Sequence, residues 1–468
     1  MAADSDGARE QALQFLLGRI DFERFVVTPY SERRLKLARM RELLARLGNP
    51  QDTLPIVHVA GSKGKGSTAA MIAGMLTAAG YRTGLYCSPH LHRIEERFTV
   101  DGLPCEGNEL AELVDMLRPA VAAMDAAAEG DPDETGPTFF ELTTAIALLL
   151  FVRRGAAAAV LEVGLGGRLD STNVCQPRVA VITSISFDHT RQLGKTLDAI
   201  AREKAGIIKP GVPTVSGVRS EAARRVIQEI AAERGSPLLE VDRDFRFTYR
   251  AGAKQRAGEV DRAALLGRID FQIDRPPFEY RLDDVSIGLL GQHQATNAAV
   301  ALTSLAVLRS EGWHILDDAQ RRGLASLRWP ARVEVWSDRP TVIIDAAHNL
   351  ASAEALVATL NECFQSRRRL LVFATTLDKD VAGMLRVLLP EFDHIYFTRY
   401  SNNPRGVPIE TLEALANEQG ATNFAPCATP EQAWRLASDA AGADSLICVT
   451  GSFFIAAEVR AMLVASSS

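Results

Sequence analysis

The stretch Gly61-Ser-Lys-Gly-Lys-Gly-Ser67 sets two lysines among small residues, and it is the part of this chain best equipped for chemistry. It follows a mostly apolar run, Pro55–Ala60, that reads as a buried strand. It precedes Thr68–Ala79, which is rich in the helix formers Ala, Met, Ile and Leu. A small-residue turn entering a helix leaves successive backbone N–H groups at the positive end of the helix dipole. Such a turn suits a polyphosphate, with Lys65 reaching the outer phosphates. The strict phosphate-loop pattern is broken twice. Val59 stands where an early Gly belongs, and Gly66 displaces the hydroxyl after the lysine to Ser67. A plain glycine-rich turn is the competing reading.

Three further polar positions close β-like runs: Ser88 after Thr83–Tyr86, Glu162 after Ala157–Leu161, and His189 after Val179–Ile185. Open parallel sheets place ligands beyond the carboxyl ends of their strands, so these side chains are expected to converge on the phosphate turn. An oxygen, a carboxylate and an imidazole beside a phosphate are candidate partners for Mg²⁺. A salt bridge at Glu162 and a capping role for His189 would account for them equally well. The segment Glu162–Asn173 carries three glycines and a polar cluster, and reads as a loop that approaches a ligand closely. No GxGxxG fits it. Thr138-Phe-Phe-Glu141 at a helix start offers two aromatic faces and a carboxylate to a flat heterocycle, or simply two core rings and a first-turn acid. Lys204 lies near a helix end, where a lysine ordinarily complements the dipole. Arg332 stands thirteen positions before Asp345, which leads into Ala346-Ala-His-Asn349. An Arg at a flexible junction suits a closing clamp on phosphate, or a surface ion pair.

Elements able to hold these groups alternate along the chain. Residues 8–48 read as largely helical from Leu13, Leu16, Leu17, Ile20, Leu37, Met40, Leu44 and Leu47. Strands are expected at Thr83–Tyr86, Ala157–Val163, Val179–Ile185 and Pro213–Val218, with a helix at Leu197–Ala205. This alternation predicts an α/β fold, a doubly wound, mostly parallel sheet covered by helices. Asp131–Thr135 reads as an acidic loop. Phe245–Tyr249, Ile269–Ile273 and Phe278–Leu282 predict a small antiparallel appendage, and a helix near Asn297 closes the unit. Trp329-Pro-Ala-Arg332 reads as a hinge. Strands at Thr341–Asp345, Leu370–Thr375, His394–Thr398 and Ser445–Thr450 then predict a smaller Rossmann-like domain, giving domains 1–328 and 329–468.

Composition narrows the class. The 468 residues exceed one ordinary core. With 47% hydrophobic and 24% charged residues the chain looks like a soluble globular enzyme. A net charge of −6 argues against nucleic-acid binding. The longest apolar run, Thr143–Val152, is too short to span a bilayer. Six scattered cysteines without CxxC spacing point to free thiols in a reducing, cytoplasmic compartment. The polar N-terminus is unlike a signal peptide. Nothing in the sequence forces a dimer, and a monomer is expected.

Taken together, His58–Ser67, Ser88-Pro-His-Leu91, Glu162–Asn173, Asp188-His-Thr190, Glu203–Ile208, Leu290–Gln294, Asp345–Asn349 and Thr450-Gly-Ser452 resemble the folylpolyglutamate synthase/dihydrofolate synthase family. That family is a branch of the Mur-type ATP-dependent amide ligases. The resemblance implies that Gly64, Lys65, Gly66, Ser67 and Thr68 hold ATP phosphates. Ser88, Glu162 and His189 would coordinate Mg²⁺. Lys204 would be carbamylated and bind a second Mg²⁺. Asn297, Arg332, Asp345 and His348 would meet the nucleotide. Thr138, Phe139, Phe140, Glu141, Leu169, Asp170 and Ser171, with Arg97, would form the pterin or folate pocket. Two positions depart from the family pattern: Ser62-Lys63 replaces the usual Thr-Asn, and Ala346 replaces a Gly.

The activity implied is glutamate addition to dihydropteroate or a reduced folate through an acyl phosphate. Lys65, Lys204, His189 and Arg332 would be the catalytic groups, and L-glutamate and the pterin acid the small-molecule partners. A Mur-type ligase acting on another carboxylate, or a nucleotide-dependent ATPase or switch, are the alternatives. A separate nucleotide-sugar domain does not fit before residue 55, and a switch would release phosphate without glutamate.

Overall fold

The computed structural model describes residues 2–21, 37–129, 135–377, 379–401 and 405–467. Part of the helical region expected over 8–48 (residues 22–36) and Asp131–Glu134 of the acidic loop lie outside the described residues. By contacts the chain divides into two compact units. The first takes Met1–Phe247, Phe271–Asp283 and Thr296–Leu324; the second takes Thr248–Asp270, Asp284–Ala295 and Ala325–Ser468.

In the first unit, eight strands form one sheet: β1 (Ile56–Ala60), β2 (Thr83–Tyr86), β3 (Phe98–Val100), β4 (Leu103–Pro104), β5 (Ala158–Glu162), β6 (Val179–Ile182), β7 (Thr214–Ser216) and β8 (Leu238–Glu240). Their order is β4-β3-β2-β5-β1-β6-β7-β8. All neighbours run parallel except the edge pairs of β3. Every residue of β1, β5 and β6 is buried, and all but His58 and Glu162 are apolar, as expected of central parallel strands. After β1 the chain first builds one side of the sheet. It then returns through β5 and continues on the other side with β6. The carboxyl ends of β5, β1 and β6 therefore surround the point where strand order reverses, where such sheets bind ligands. Register fixes the alignment there: Val59 of β1 pairs with Glu162 on one side and Val181 on the other.

The helices Gly107–Ala128 and Phe139–Arg153 contribute heavily to the core on one part of this sheet, around the fully buried Phe98, Phe139 and Phe151. Leu197–Ala205 and Glu221–Glu233 build a second cluster with Ile182, Ile200 and Ile227. The helix near the N-terminus, Ala2–Leu17, buries Leu16 but leaves Leu17 exposed, and Ile20 beyond it is exposed too.

A three-stranded sheet, β9 (Phe245–Arg250), β11 (Arg268–Ile273) and β12 (Tyr280–Ser286), stands where the appendage is expected. The helix placed near Asn297 begins earlier, at Gln292, just after Gly291 with φ 98. The polar Gln292-His293-Gln294 hides that first turn from a hydrophobicity reading.

In the second unit β10 (Gln255–Arg256) pairs with β15 (Phe364–Gln365). A six-stranded sheet combines β13 (Glu334–Asp338), β14 (Thr341–Ile344), β16 (Arg368–Phe373), β17 (His394–Phe397), β18 (Phe424–Pro426) and β19 (Ser445–Thr450). The order is β13-β14-β19-β16-β17-β18, parallel apart from β13. β13 follows the hinge directly and its mixed polarity concealed it in the sequence. No helix among the described residues is long and apolar enough to cross a membrane. All six cysteines are buried free thiols.

Candidate active site

The phosphate turn leaves β1 at Ala60 and becomes a helix at Lys65, so the helix Lys65–Ala78 starts three residues before the sequence pattern suggests. Its first helical bond runs from the Thr68 N–H to the Gly64 carbonyl at 2.9 Å. The N–H groups of Lys65, Gly66 and Ser67 thus lie ahead of the ladder, at the positive helix end. Gly61 and Gly64 are required by space. A Cβ on Gly61 would come within 1.9 Å of Thr183 Oγ1, and one on Gly64, at φ +81, within 2.3 Å of Asn297 Oδ1. Asn297 is thereby set against the turn. The Thr68 hydroxyl is fully buried and makes no hydrogen bond.

Hydroxyls following β6 strap the turn down. Thr183 Oγ1 and Ser184 Oγ both donate to the Lys63 carbonyl (2.6 and 2.9 Å), and the Lys63 N–H donates to Ser184 Oγ at 2.9 Å. Ser62 bonds through its N–H to the Ser184 carbonyl at 2.8 Å and through its hydroxyl to the Ser186 carbonyl at 3.1 Å. The Lys63 ammonium pairs with Asp188 at 2.7 Å. Of these partners only Asp188 lies in a segment that carries the family resemblance, although Thr183-Ser-Ile-Ser186 is conspicuously rich in hydroxyls for the end of a buried strand.

Glu162 ends β5 nearly buried, and its Oε2 accepts the Ser88 N–H at 3.3 Å. The structure therefore brings together the hydroxyl-bearing Ser88 and a carboxylate. His189 is exposed in a left-handed conformation (φ 49) at the start of the short helix Thr190–Leu193. No three His, Cys, Asp or Glu side chains cluster as a metal cage among the described residues. A carboxylate and a hydroxyl nonetheless suit Mg²⁺, which takes few protein ligands and keeps waters of its own.

Lys204 sits in the last turn of Leu197–Ala205, but its side chain does not serve its own helix end. Its ammonium donates to the Gly61 carbonyl at 2.9 Å. Burial, and next the positive charge of Lys65, pull its pKa down to about 7.

The aromatic acceptor pocket expected at Thr138–Glu141 is partly architecture. Thr138 caps the helix Phe139–Arg153, and its N–H and hydroxyl donate to Glu141 Oε2 at 2.8 and 2.9 Å. Arg39 completes a buried ion pair with that carboxylate at 2.9 Å. Phe139 is buried beneath the Arg97 guanidinium, 5.2 Å from its ring centre. Phe140 is half-buried and lies against Gly164, where a Cβ would come within 2.4 Å of the ring. The glycine loop is organised by Asp170, whose carboxylate accepts the N–H groups of Gly164, Leu165 and Thr172, each at 3.0 Å. Burial raises the Asp170 pKa against the opposing pull of these bonds. Leu169 is buried, and Ser171 Oγ shares a 3.1 Å hydrogen bond with Thr144. His58 on β1 meets Thr172 Oγ1 at 2.8 Å; its pKa falls to about 3 through burial and then the Lys209 charge.

In the second unit Asp345, just past β14, accepts the N–H groups of Val333 (2.9 Å) and Ala347 (2.7 Å). Burial raises its pKa while the Arg332 charge opposes this. The Arg332 guanidinium lies 4.7 Å from the Phe453 ring centre. His348 Nδ1 is 2.9 Å from the Ala346 carbonyl. His293, inside the Leu290–Gln294 segment but given no role from sequence, has its pKa lowered to about 4, first by desolvation and then by Arg332. The Trp329–Arg332 junction is irregular, with Ala331 (φ 53) and Val333 (φ 46) both left-handed. Ala346, where the family pattern has Gly, has no positive φ, so its methyl imposes no backbone strain.

Comparison with known proteins agrees with this geometry. Residues 59–305 match the Mur ligase middle domain, and residues 331–453 match the Mur ligase glutamate ligase domain. The Bacillus subtilis dihydrofolate synthase/folylpolyglutamate synthase is 34% identical over 91% of this chain and 94% of its own. The Lacticaseibacillus casei folylpolyglutamate synthase is 35% identical over 92% of this chain and 95% of its own. The solved Mycobacterium tuberculosis folylpolyglutamate synthase complexed with ADP superposes with a TM-score of 0.85 at 32% identity, covering 98% of both chains. Escherichia coli FolC in complex with DHPP and ADP gives 0.80 at 31%, also covering 98% of both. On its sequence, its fold and the construction of its phosphate turn, the chain belongs to the folylpolyglutamate synthase/dihydrofolate synthase family of Mur-type ligases.

Proposed function

We propose that this protein is an ATP-dependent ligase that joins L-glutamate to dihydropteroate, to tetrahydrofolate (poly)glutamates, or to both. The observation that carries the reading is the phosphate turn: Lys65 heads the helix, and the buried amine of Lys204 braces the turn from below at 2.9 Å. A carboxylate oxygen of the acceptor attacks the γ-phosphorus, ADP departs, and an acyl phosphate forms. The free amine of glutamate then attacks the acyl carbon; inorganic phosphate leaves and the nitrogen loses a proton. A carboxylate is a poor electrophile, so the phosphorylation creates the leaving group.

The chain's part is to position these groups and to neutralise charge. The N–H groups at the start of Lys65–Ala78 and the Lys65 ammonium receive the phosphates, with Asn297 beside Gly64. Ser88, Glu162 and His189 would hold Mg²⁺, which supplies Lewis-acid neutralisation of phosphate charge. Lys204, whose pKa of about 7 leaves much of it as neutral amine, is suited to carbamylation and to holding a second Mg²⁺. Phe140 beside the glycine loop, with Leu169 and Ser171, would face the pterin, and Thr138, Glu141 and Asp170 would keep that wall in shape. Arg332, Asp345 and His348 are the nucleotide-contacting candidates of the second unit. The buried free thiols support a reducing, cytoplasmic setting, where the protein would act as a monomer.

The deciding assay supplies purified protein with ATP and labelled glutamate, and offers dihydropteroate and tetrahydrofolate in parallel. Label entering a pterin product, with one ADP per glutamate, is expected. ADP formed without glutamate would instead indicate a simple ATPase.

A further inference from the structure

Lys63 is a second cation in the phosphate turn, and the structure gives it a definite occupation. Its ammonium lies 2.7 Å from Asp188 Oδ2, with side chains 28% and 10% exposed. Its own backbone is immobilised by three bonds to Thr183 and Ser184. The other Asp188 oxygen accepts the His189 N–H at 3.1 Å, and His189 is held left-handed at φ 49. An unbroken line therefore runs from the strapped turn through Lys63 and Asp188 to the backbone of His189. Moving the Lys63 ammonium onto a phosphate would break its ion pair with a largely buried carboxylate, which is costly.

Resting on the ligase reading above, we propose that Lys63 is a positioning residue. It ties the Asp188-His189 segment to the phosphate turn and thereby sets His189 for the metal, without itself binding phosphate. Its charge is met locally by Asp188, which leaves Lys65 as the lysine of the turn that reaches phosphate.

The test is calorimetric titration of the full-length protein with ADP, in EDTA and across a series of MgCl₂ concentrations. Thermal unfolding of each variant is recorded alongside. Lys63→Met and Asp188→Asn should each raise the MgCl₂ needed for half of the metal-dependent gain in affinity by about fivefold, the scale of a partly exposed ion pair. Lys63→Met should leave ADP affinity in EDTA unchanged, and Lys63→Arg, which keeps the pair, should behave as wild type. Equal weakening of ADP binding by Lys63→Met with and without metal would make Lys63 a phosphate ligand and overturn the proposal. An unmoved magnesium requirement in Lys63→Met, beside a magnesium-dependent wild type, would overturn it alone. A wild type indifferent to magnesium would overturn it together with the metal assignment of the ligase reading.

Discussion

The ammonium of Lys204 donates to the main-chain carbonyl of Gly61 at 2.9 Å, joining the end of one helix to the turn that begins another. Burial and the nearby Lys65 charge lower this amine from 10.5 to about 7. The unfolded chain therefore holds the proton up to higher pH than the folded one. Between those two values the unfolded state binds more protons, so stability rises with pH. Measured against Lys204→Met, the thermal midpoint of the wild type should climb between about pH 7 and about pH 9. A constant difference would show that the amine is not depressed.

Activity should divide the two lysines of the site. Lys65→Ala should reduce ATP-dependent glutamate addition by about a hundredfold or more, with circular dichroism unchanged. Lys204→Ala should lose most activity too, but added acetate should restore part of it if a carbamate's negative charge is what the site needs. Undiminished turnover in Lys65→Ala would remove the assignment.

Asp170→Asn places an amide where one carboxylate oxygen receives N–H groups. Gly164, Leu165 and Thr172 all donate to this side chain, so at least one donor would face another donor. A loss of about 2 kcal/mol in urea unfolding is expected, the cost of leaving a buried polar group unmatched. Full stability would mean that the glycine loop holds its shape without Asp170.

Arg39→Met leaves Glu141 buried against Thr138 without its cation. About 3 kcal/mol of stability should be lost, whereas adding Glu141→Gln should recover much of it, because Gln keeps the capping acceptor without the charge. Equal losses in the single and double variants would argue against the ion pair as the cause.

The alternation of strands and helices and the phosphate turn were legible because both rest on local signals, such as apolar runs bounded by small polar residues. The residues that brace the turn were not. Thr183 and Ser184 act on Lys63 from about 120 positions away, and Lys204 reaches Gly61 across 143. Only register and strand order bring such distant hydroxyls and amines together. Glu141 was legible as a helix-start carboxylate, but its buried partner Arg39 lies 102 positions earlier with no pattern linking the two. β13 escaped because an edge strand of mixed polarity has no distinctive period. The start at Gln292 escaped because its first turn is polar.

The six buried thiols have a practical corollary. Cys87, Cys105 and Cys175 belong to the first unit, and Cys363, Cys427 and Cys448 to the second. A thiol screened from solvent reacts only when its surroundings open, so labelling each cysteine against time reports local opening free energies along the chain. The protein thus carries three native reporters in each unit, enough to learn which half loosens first and which half a nucleotide quietens, without adding a probe.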